Sequence, residues 1–413
     1  MNTFEEIGLS HELLSSITQL GFDKPTQIQE ESIPLIVKGQ DVIGESATGS
    51  GKTLAFGCGV FEKAIPGRGL QALIMTPTRE LAEQVKDSIK ELTRQKKLRV
   101  TSIYGGVSLN PQIKDLSQSD VVVGTPGRLL DHLRRGTINL SKIRILVLDE
   151  ADRMLEMGFI EDVEQIIKKC PKERQTLLFS ATIPSVIRGL SERYMTNPDK
   201  ISVEKYVDSS KLKQVYYNVS KNMKLSLLVH LLQQEKSDQV IVFCNTRTNT
   251  DFVVKNLQNN NIKAVEIHGG MAQNKRINTL KNFNDGKVPV LACTDVASRG
   301  LHIENVSHVY NYDIPKDPND YVHRIGRTAR AGKEGKAVNV LCEYDYDNFS
   351  RVKEGYRNFT IEKIEMPYVN RVIAIKVERG RGMPMRQHFG RNNWHGRGPN
   401  RGGFRENRGN RRK

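Results

Sequence analysis

The chain has no apolar run long enough to suggest a membrane span. No window approaches the roughly 18 consecutive apolar residues that such a helix needs. Its first residues, MNTFEEIGLS, are acidic and lack the basic and then apolar layout of a secretory signal. Since 38% of the 413 residues are hydrophobic and 27% are charged, we expect a soluble, cytoplasmic protein of two or three domains.

Cysteine is scarce, and its spacing excludes two common kinds of site. None of the five cysteines has another within a few residues, so no local CxxC pair can bind zinc or act in redox chemistry. We expect reduced cysteines in the core, with no disulfide and no zinc site. They are Cys58, Cys170, Cys244, Cys293 and Cys342.

Acidic residues are in the minority, and the positive excess is concentrated at one end. Of a formal net charge of +16, residues 379–413 carry +10, from ten Arg, one Lys and one Glu. Phe389, Trp394 and Phe404 are interspersed there, and Trp394 is the only tryptophan in the chain. Such a segment cannot bury enough apolar surface to fold alone, and Arg with spaced aromatics suits RNA. We predict a disordered RNA-binding tail at 376–413; a solubilising tail is the alternative.

Short apolar runs rich in β-branched residues recur along the chain, separated by stretches of helical length. This alternation predicts parallel sheets covered by helices on both faces. The polar stretch EKYVDSSKLK divides the runs into two groups. We therefore predict an α/β fold with domains at 1–205 and 214–375 and a linker at 206–213. The predicted strands lie at residues 41–44, 72–76, 121–124, 145–149, 176–180, 239–245, 263–268, 289–295 and 308–313.

The predicted strand ILVLD runs into three carboxylates, Asp149, Glu150 and Asp152. A buried carboxylate is unfavourable unless a partner compensates its charge. The cluster is therefore either a solvated loop or part of a metal site, and the stretch alone leaves both open. Ligands of open parallel sheets bind at the carboxyl ends of strands, where this cluster lies.

A second signal decides between these readings. The segment SATGSGKT follows the first predicted strand and matches a phosphate-binding loop except at its first position. Backbone N–H groups from Gly49 to Thr53 can cradle phosphate oxygens at the start of a helix. Lys52 would reach the β- and γ-phosphates, and Thr53 would ligate Mg²⁺. The predicted loop residues are Ser46, Ala47, Thr48, Gly49, Ser50, Gly51, Lys52 and Thr53.

A nucleotide-bound Mg²⁺ needs a further carboxylate from a neighbouring strand end. We assign that role to Asp149, acting through a water because Mg²⁺ dehydrates reluctantly. Glu150 is then free to orient and deprotonate the attacking water. Asp152 is better suited to an interdomain link than to the metal.

Together the motifs resemble those of the DEAD-box ATP-dependent RNA helicases of helicase superfamily 2, in a prokaryotic form. The resemblance covers about residues 4–367 and implies two tandem RecA-like domains. The motifs, in chain order, are GFDKPTQIQ (21–29), SATGSGKT (46–53), PTRELAEQ (77–84), GG (105–106), TPGR (125–128), DEAD (149–152), SAT (180–182), VFCNTR (242–247), QNKR (273–276), TDVASRG (294–300) and HRIGRTAR (323–330).

The resemblance implies ATP as the nucleotide, recognised through residues 2–30. Gln29 offers a donor and an acceptor to the adenine edge, and Phe22 would stack on the ring, with Phe4 a weaker candidate. Asp295 and His302 would also contact ATP. Further implied roles are arginine fingers at Arg327 and Arg330, and interdomain coupling through Asp152, Ser180, Thr182 and His323.

The resemblance also implies a single-stranded RNA site made of hydroxyls, glycine amides and arginines. Such groups suit phosphate and sugar contacts, and contacts to 2′-hydroxyls would favour RNA over DNA. We therefore expect binding that is largely blind to sequence. The implied contacts are Thr78, Arg79, Gly105, Gly106, Thr125, Arg128, Thr246, Arg247, Arg276, Thr294, Arg299 and Gly300.

Two positions depart from the family pattern. Ser46 stands where the family usually has Ala, and we expect little effect. His302 stands where an Asp usually contacts the ATP ribose. An imidazole there is either harmless or makes closure on ATP weaker or pH-dependent, because a His charge changes near neutral pH.

The expected function is a monomeric, RNA-stimulated ATPase that unwinds short RNA duplexes locally or remodels ribonucleoproteins. An annealing clamp that unwinds only incidentally is the first alternative. A DNA-directed translocase is the second, and the GFDKPTQIQ and DEAD spellings argue against it.

Overall fold

Two parallel sheets organise the protein. The computed structural model describes residues 3–46, 49–203, 211–235, 238–295, 303, 306–329 and 334–375. Within these ranges each domain is built on a seven-stranded sheet. Every strand pair described there is parallel, which confirms the predicted fold class. No helix in these ranges is both long and apolar enough to cross a membrane.

The first sheet has the strand order β3-β4-β2-β5-β6-β1-β7. Its strands are β1 (Val42–Glu45), β2 (Ala72–Met75), β3 (Val100–Ile103), β4 (Val121–Gly124), β5 (Ile145–Asp149), β6 (Gln175–Ser180) and β7 (Asp199–Ser202). The helices described around it are α1 (His11–Gln19), α2 (Gln27–Lys38), α3 (Lys52–Lys63), α4 (Arg79–Leu92), α5 (Leu109–Leu116), α6 (Pro126–Arg134), α7 (Ala151–Glu156), α8 (Ile160–Ile167) and α9 (Ser185–Tyr194), after a short 3-10 helix at Glu5–Ile7.

The second sheet has the order β10-β11-β9-β12-β13-β8-β14. Its strands are β8 (Leu212–Asn218), β9 (Val240–Phe243), β10 (Ala264–Ile267), β11 (Val290–Cys293), β12 (His308–Asn311), β13 (Gly335–Leu341) and β14 (Ile361–Ile364). The helices described around it are α10 (Lys224–Gln234), α11 (Arg247–Asn259), α12 (Gln273–Asn284), α13 (Pro318–Ile325) and α14 (Tyr346–Gly355), with a 3-10 helix at Lys221–Met223.

The central strand β5 shows why the sequence folds in this way. All five of its residues are buried, because both faces of the sheet are covered. Ile145 and Val147 pack into one core cluster, whereas Leu146 and Leu148 pack into another on the opposite face. The alternation follows from the two-residue period of a strand, and it leaves Asp149 at the carboxyl end.

The nine predicted strands are all confirmed, with bounds that differ by at most two residues. Five strands were missed. The strands β3, β7 and β14 lie at sheet edges and carry polar residues, so they lack a continuous apolar run. The other two, β8 and β13, lie inside the second sheet, and β8 begins at Leu212, within the predicted linker 206–213. Residues 206–210 of that linker and the predicted tail 376–413 lie outside the described residues.

Candidate functional site

The sheet topology brings three predicted motifs together. In the order β5-β6-β1, the three strands that precede DEAD, SAT and the phosphate loop are direct neighbours. Ser46 N–H donates to the Ser180 carbonyl at 3.0 Å, which joins two of these loops. Their ligand-facing ends therefore share one edge of the first sheet.

The phosphate loop turns sharply into α3. Gly49 and Gly51 have φ values of 83° and 94°, a region that side chains with a Cβ rarely adopt. A Cβ on Gly51 would also collide with the Gln29 amide, so both the backbone conformation and the lack of space require glycine here. Ala47 and Thr48 of the predicted loop lie outside the described residues.

Side chains of the loop hold one another in place. Lys52 is 6% exposed and its Nζ donates to the Ser46 carbonyl at 3.0 Å. The hydroxyls of Ser46 and Ser50 lie 2.9 Å apart and form a hydrogen bond. The serine at position 46 thus adds a bond across the loop that alanine could not make. Thr53 follows Lys52 in the first turn of α3.

The start of α2 is tied to the same loop. Gln29 is 3% exposed; its Nε2 donates to the Gly51 carbonyl at 3.0 Å, and its Oε1 accepts from Thr26 N–H at 2.9 Å. The Gln29 amide therefore supports the phosphate loop, and these two bonds leave one donor and one acceptor site of the amide for other partners. Phe22 is 45% exposed, whereas Phe4 is 3% exposed and packs in the core.

Asp149 and Glu150 are both buried beside the phosphate loop. Burial raises the pKa of Asp149 to about 7, and the Lys52 ammonium offsets part of that rise. The Asp149 Oδ1 atom is buried without a hydrogen-bond partner in the described part of the chain. Burial also raises the pKa of Glu150, while Lys52 and Arg327 oppose the rise. Since Arg327 belongs to the second domain, its charge reaches the Glu150 carboxylate from across the cleft.

Glu150 also has an unusual backbone. Its φ and ψ are both 53°, in the left-handed region that non-glycine residues adopt only at a cost of order 1–3 kcal/mol. The conformation lets the chain turn directly from β5 into α7. Strain of this kind persists only where the surrounding fold holds the backbone in place, and it is common at functional sites.

Asp152 binds the SAT loop through several hydrogen bonds. Its Oδ2 accepts from both the N–H and the hydroxyl of Thr182, at 2.9 and 3.0 Å. Its own N–H donates to the Ser180 hydroxyl at 3.0 Å. These three predicted coupling residues are therefore in direct contact. The fourth, His323, lies half-buried on α13 of the second domain.

In the second domain, Asp295 forms an ion pair with Arg324, a residue to which the motifs assigned no role. Arg324 is 1% exposed, and its Nε and Nη2 donate to the two carboxylate oxygens of Asp295 at 2.5 and 2.6 Å. Asp295, predicted to contact ATP, thus has both oxygens engaged by a protein partner. Arg330 and His302 lie outside the described residues.

The loops of the first domain that are predicted to contact RNA lie close together. Thr78 caps α4, where its hydroxyl accepts from Leu81 N–H at 3.3 Å. The Arg79 guanidinium lies so close to Gly106 that a Cβ there would collide with it, and Gly105 lies beside it. Thr125 precedes α6, and Arg128 donates to the Val107 carbonyl at 3.1 Å, just past the same glycine pair.

The second domain repeats this arrangement. Thr246 caps α11 by accepting from Asn249 N–H at 3.1 Å, as Thr78 caps α4. The Arg247 guanidinium lies against Gly269, and its Cδ lies near Gly270, much as Arg79 lies against its own glycine pair. The second glycine pair was missed, although GG recurs in the sequence as a visible signal. Thr294 follows β11 and is buried, and Arg299 and Gly300 lie outside the described residues.

One predicted RNA contact, Arg276, also lies at a contact between the two domains. The Glu80 side chain, 4% exposed on α4, accepts from Gln273 Nε2 at 2.9 Å. Arg276 Nε lies 3.0 Å from the same Glu80 oxygen. Both partners come from α12 of the second domain, so Arg276 forms an interdomain ion pair next to the Thr78–Arg79 loop.

Comparisons with known proteins agree with this geometry. The DEAD/DEAH box helicase family model matches residues 26–190, and the helicase conserved C-terminal domain model matches residues 223–332. The chain is 42% identical to the DEAD-box ATP-dependent RNA helicase CshA of Geobacillus kaustophilus, over 90% of this chain and 80% of the relative. The chain belongs to the DEAD-box ATP-dependent RNA helicases.

Further relatives give the same family. A DEAD-box helicase of Listeria monocytogenes, ATP-dependent RNA helicase CshA, is 47% identical over 83% of this chain, which spans 66% of that protein's length. Among solved structures, S. cerevisiae Dbp5 bound to RNA and ADP BeF3 aligns with a TM-score of 0.80 and 31% identity. That alignment covers 89% of this chain and 96% of the chain in that structure. The resemblance found in the motifs is confirmed, and the DEAD-box fold here is that of two RecA-like domains.

Proposed function

We propose that the chain hydrolyses ATP in the cleft between its domains and unwinds short RNA duplexes when RNA and ATP together favour closure. The observation that carries this proposal is that the two domains meet in an ion pair, with Arg276 Nε 3.0 Å from Glu80, and that the charge of Arg327 also acts on Glu150. A second-domain arginine acting on a first-domain carboxylate supports an active site that both domains complete.

The residues around Asp149 fit a divalent cation, which we propose to be Mg²⁺. The buried, unpaired Oδ1 of Asp149 and the hydroxyl of Thr53 are hard oxygen donors of the kind Mg²⁺ prefers. The bound ion would neutralise charge on the ATP phosphates. Lys52 would bind the β- and γ-phosphates, and the N–H groups of the loop would hold their oxygens.

Glu150 is proposed to orient and deprotonate the attacking water. Its raised pKa makes the carboxylate a stronger base than an exposed glutamate, provided that it is ionised at the working pH. Arg327 and Arg330 would stabilise charge on the transferred phosphoryl group, and His323 would relay the state of the site to Asp152. Phe22 and Gln29 would recognise adenine, and Asp295 and His302 would act near the ribose.

The paired Thr-Arg caps and glycine pairs of the two domains support a continuous path for a single RNA strand. Amides and arginines suit the phosphate and sugar backbone, which makes binding tolerant of sequence. The path would run over Thr78, Arg79, Gly105, Gly106, Thr125 and Arg128 in the first domain, and over Thr246, Arg247, Arg276, Thr294, Arg299 and Gly300 in the second.

Because ATP and RNA would each contact both domains, each should favour closure and strengthen binding of the other. Closure would bend the bound strand, and a bent strand cannot stay paired with its complement. Hydrolysis would then reset the cleft. This mechanism predicts local unwinding of short duplexes by a monomer.

The test is steady-state ATP hydrolysis with no nucleic acid, with single-stranded RNA, and with DNA of matching sequence. Strong stimulation by RNA alone is the expected result. Equal stimulation by DNA would favour a translocase, and high activity with neither polymer would mean that RNA does not gate the cleft.

The strongly basic C-terminal segment favours one second candidate, an RNA-annealing clamp. Glu150→Gln separates the two functions, with exposed Glu161→Gln on α8 as the matched control. We expect Glu150→Gln to lower kcat by at least about 10²-fold and to abolish unwinding turnover. Unwinding that persists at the normal rate in this variant would favour the clamp.

A further inference from the structure

A groove of about 810 Å³ opens on the second domain, and none of its described lining residues is among those proposed for ATP. It lies between the amino-terminal ends of α10 and α11, the turn after β13, and the segment 371–374. We call it the second-domain groove. Its lining includes Lys221, Asn249, Tyr344, Asp345 and Arg371.

The floor of the groove is a closed set of buried charges. Lys224 Nζ lies 2.8 Å from an Asp345 oxygen and 3.6 Å from an Asp313 oxygen. Asp345 also accepts from the N–H groups of Ile314 and Cys342, at 3.2 and 3.0 Å. These carboxylates already have partners, so the floor is rigid and does not itself call for a cation.

The outer parts of the groove carry uncompensated positive charge and an accessible ring. Tyr344 is 69% exposed, and Lys221 Nζ lies 4.6 Å from its ring centroid. Arg371 is exposed as well. Within the described part of the chain, neither Lys221 nor Arg371 pairs with a carboxylate.

Arg371 stands on a segment that the domain holds firmly. The next residue, Val372, donates its N–H to the Ser226 hydroxyl at 3.0 Å. Farther along, Asn256 accepts from Ile375 N–H at 2.7 Å and donates to its carbonyl at 3.0 Å. Ser226 and Asn256 are buried, so this wall of the groove is part of the folded domain.

The groove begins next to the proposed RNA path. Asn249 lines it and, through its N–H, bonds the Thr246 hydroxyl at 3.1 Å. Three residues of helix rise only about 4.5 Å, so the groove lies less than one turn from Thr246 and Arg247. A strand bound at those two residues can continue into the groove.

We propose that the second-domain groove is an additional RNA subsite, which takes an unpaired nucleotide flanking the strand held at Thr246 and Arg247. A base stacks on the exposed face of Tyr344, and the adjoining phosphates lie near Lys221 and Arg371. An accessible aromatic ring beside cationic side chains is the combination that binds single strands without reading their sequence. The proposal rests on the proposed RNA helicase function.

RNA is favoured over a protein partner by the charge of the accessible groups. Asp345 is buried, Asp313 is partly buried, and both pair with Lys224, whereas the exposed charges of Lys221 and Arg371 are positive. An RNA strand is attracted by both of these positive side chains. It reaches the groove as a continuation of the strand bound at Thr246 and Arg247.

The test compares two single-stranded RNAs, one that fills only the central path and one extended at either end. Binding is measured with a non-hydrolysable ATP analogue present, over a range of salt. For the extended RNA, we expect Tyr344→Ala to raise Kd at least about five-fold. We expect Lys221→Gln with Arg371→Gln to lower the slope of log Kd against log salt by about 1.4, the value for two phosphates of a single strand.

Controls separate stacking from damage to the domain. Tyr344→Phe keeps the ring and should bind as the parent does, and Tyr346→Ala removes an exposed ring of α14 that does not line the groove. The Kd of the short RNA and the rate of ATP hydrolysis at saturating RNA should be unchanged in every variant.

Equal effects on short and extended RNA, or none on either, would overturn the subsite. Unchanged RNA binding together with loss of a protein partner would assign the groove to that partner instead, and would also overturn it. If RNA fails to stimulate the parent protein, the proposed function itself fails, and this is seen before any variant is made.

Discussion

Arg324 and Asp295 form a bidentate ion pair in the second domain, in which one guanidinium donates to both carboxylate oxygens at 2.5 and 2.6 Å. Nη1 of the same arginine donates to the Asp313 carbonyl at 2.5 Å. The pair joins the end of β11 to α13, the helix that leads to Arg327. It therefore holds in place the segment that carries Arg327, whose charge acts on Glu150.

Arg324→Gln should destabilise the second domain. Removing one partner of a buried ion pair leaves the other charge uncompensated, which costs about 3–5 kcal/mol. We expect a lower denaturant midpoint and a loss of RNA-stimulated ATP hydrolysis. Arg351→Gln, at an exposed position on α14, should change stability by less than about 0.5 kcal/mol. An unchanged midpoint for Arg324→Gln would show that the pair does not stabilise the domain.

Gly51→Ala should disable the phosphate loop, because the new Cβ meets the Gln29 amide in addition to an unfavourable φ of 94°. Gly67→Ala is a matched control, since Gly67 also has a positive φ, of 73°, but a Cβ there meets nothing within 4 Å. We expect ATP affinity, measured by titration with a fluorescent analogue, to fall at least about ten-fold for Gly51→Ala alone, a loss of roughly 1.4 kcal/mol. Equal affinities for the two variants would contradict this account of the loop.

Glu80→Gln should weaken the coupling between ATP and RNA. The carboxylate accepts a hydrogen bond from Gln273 and forms an ion pair with Arg276 across the cleft, and a hydrogen bond to a charged group contributes about 1.5–3 kcal/mol. The quantity to measure is the ratio of RNA Kd values without and with an ATP analogue, because freeing Arg276 can itself alter RNA binding. We expect that ratio to fall about ten-fold or more. Glu91→Gln on the exposed face of α4 should leave it unchanged; a similar fall there would point to a general charge effect.

Glu235 should make part of the second domain's stability depend on pH. Burial alone would raise the pKa of Glu235, but hydrogen bonds from His308, Lys336 and Tyr310 outweigh it and lower the pKa to about 2. A lowered acid pKa gives stability that is present above the unfolded value, near 4.5, and lost as the pH falls towards 2.

The comparison is between the parent and Glu235→Gln, by denaturant unfolding from pH 6 down to pH 3. We expect the parent to be more stable by on the order of 2–3 kcal/mol at pH 6, and the difference to shrink below pH 4.5. Exposed Glu354→Gln on α14 is the control. A difference that stays constant over this range would show that the ionisation of Glu235 is not its source.

The sequence by itself determined the sheet type, nine of the strands and the motifs at their carboxyl ends. These features are local, because a buried strand is a continuous apolar run and a phosphate loop is a fixed spacing of glycines and lysine. Since parallel strands end at one edge, the meeting of the phosphate loop with Asp149 also followed from sequence.

Only the tertiary structure decided which partners these residues take. Arg324 is 29 residues from Asp295 and Gln273 is 193 residues from Glu80, so no local pattern predicts either pair. The same holds for the Arg247–Gly269 contact and for the pairing of β8 with β13. Side-chain pairing depends on distances that exist only once both sheets have formed and packed.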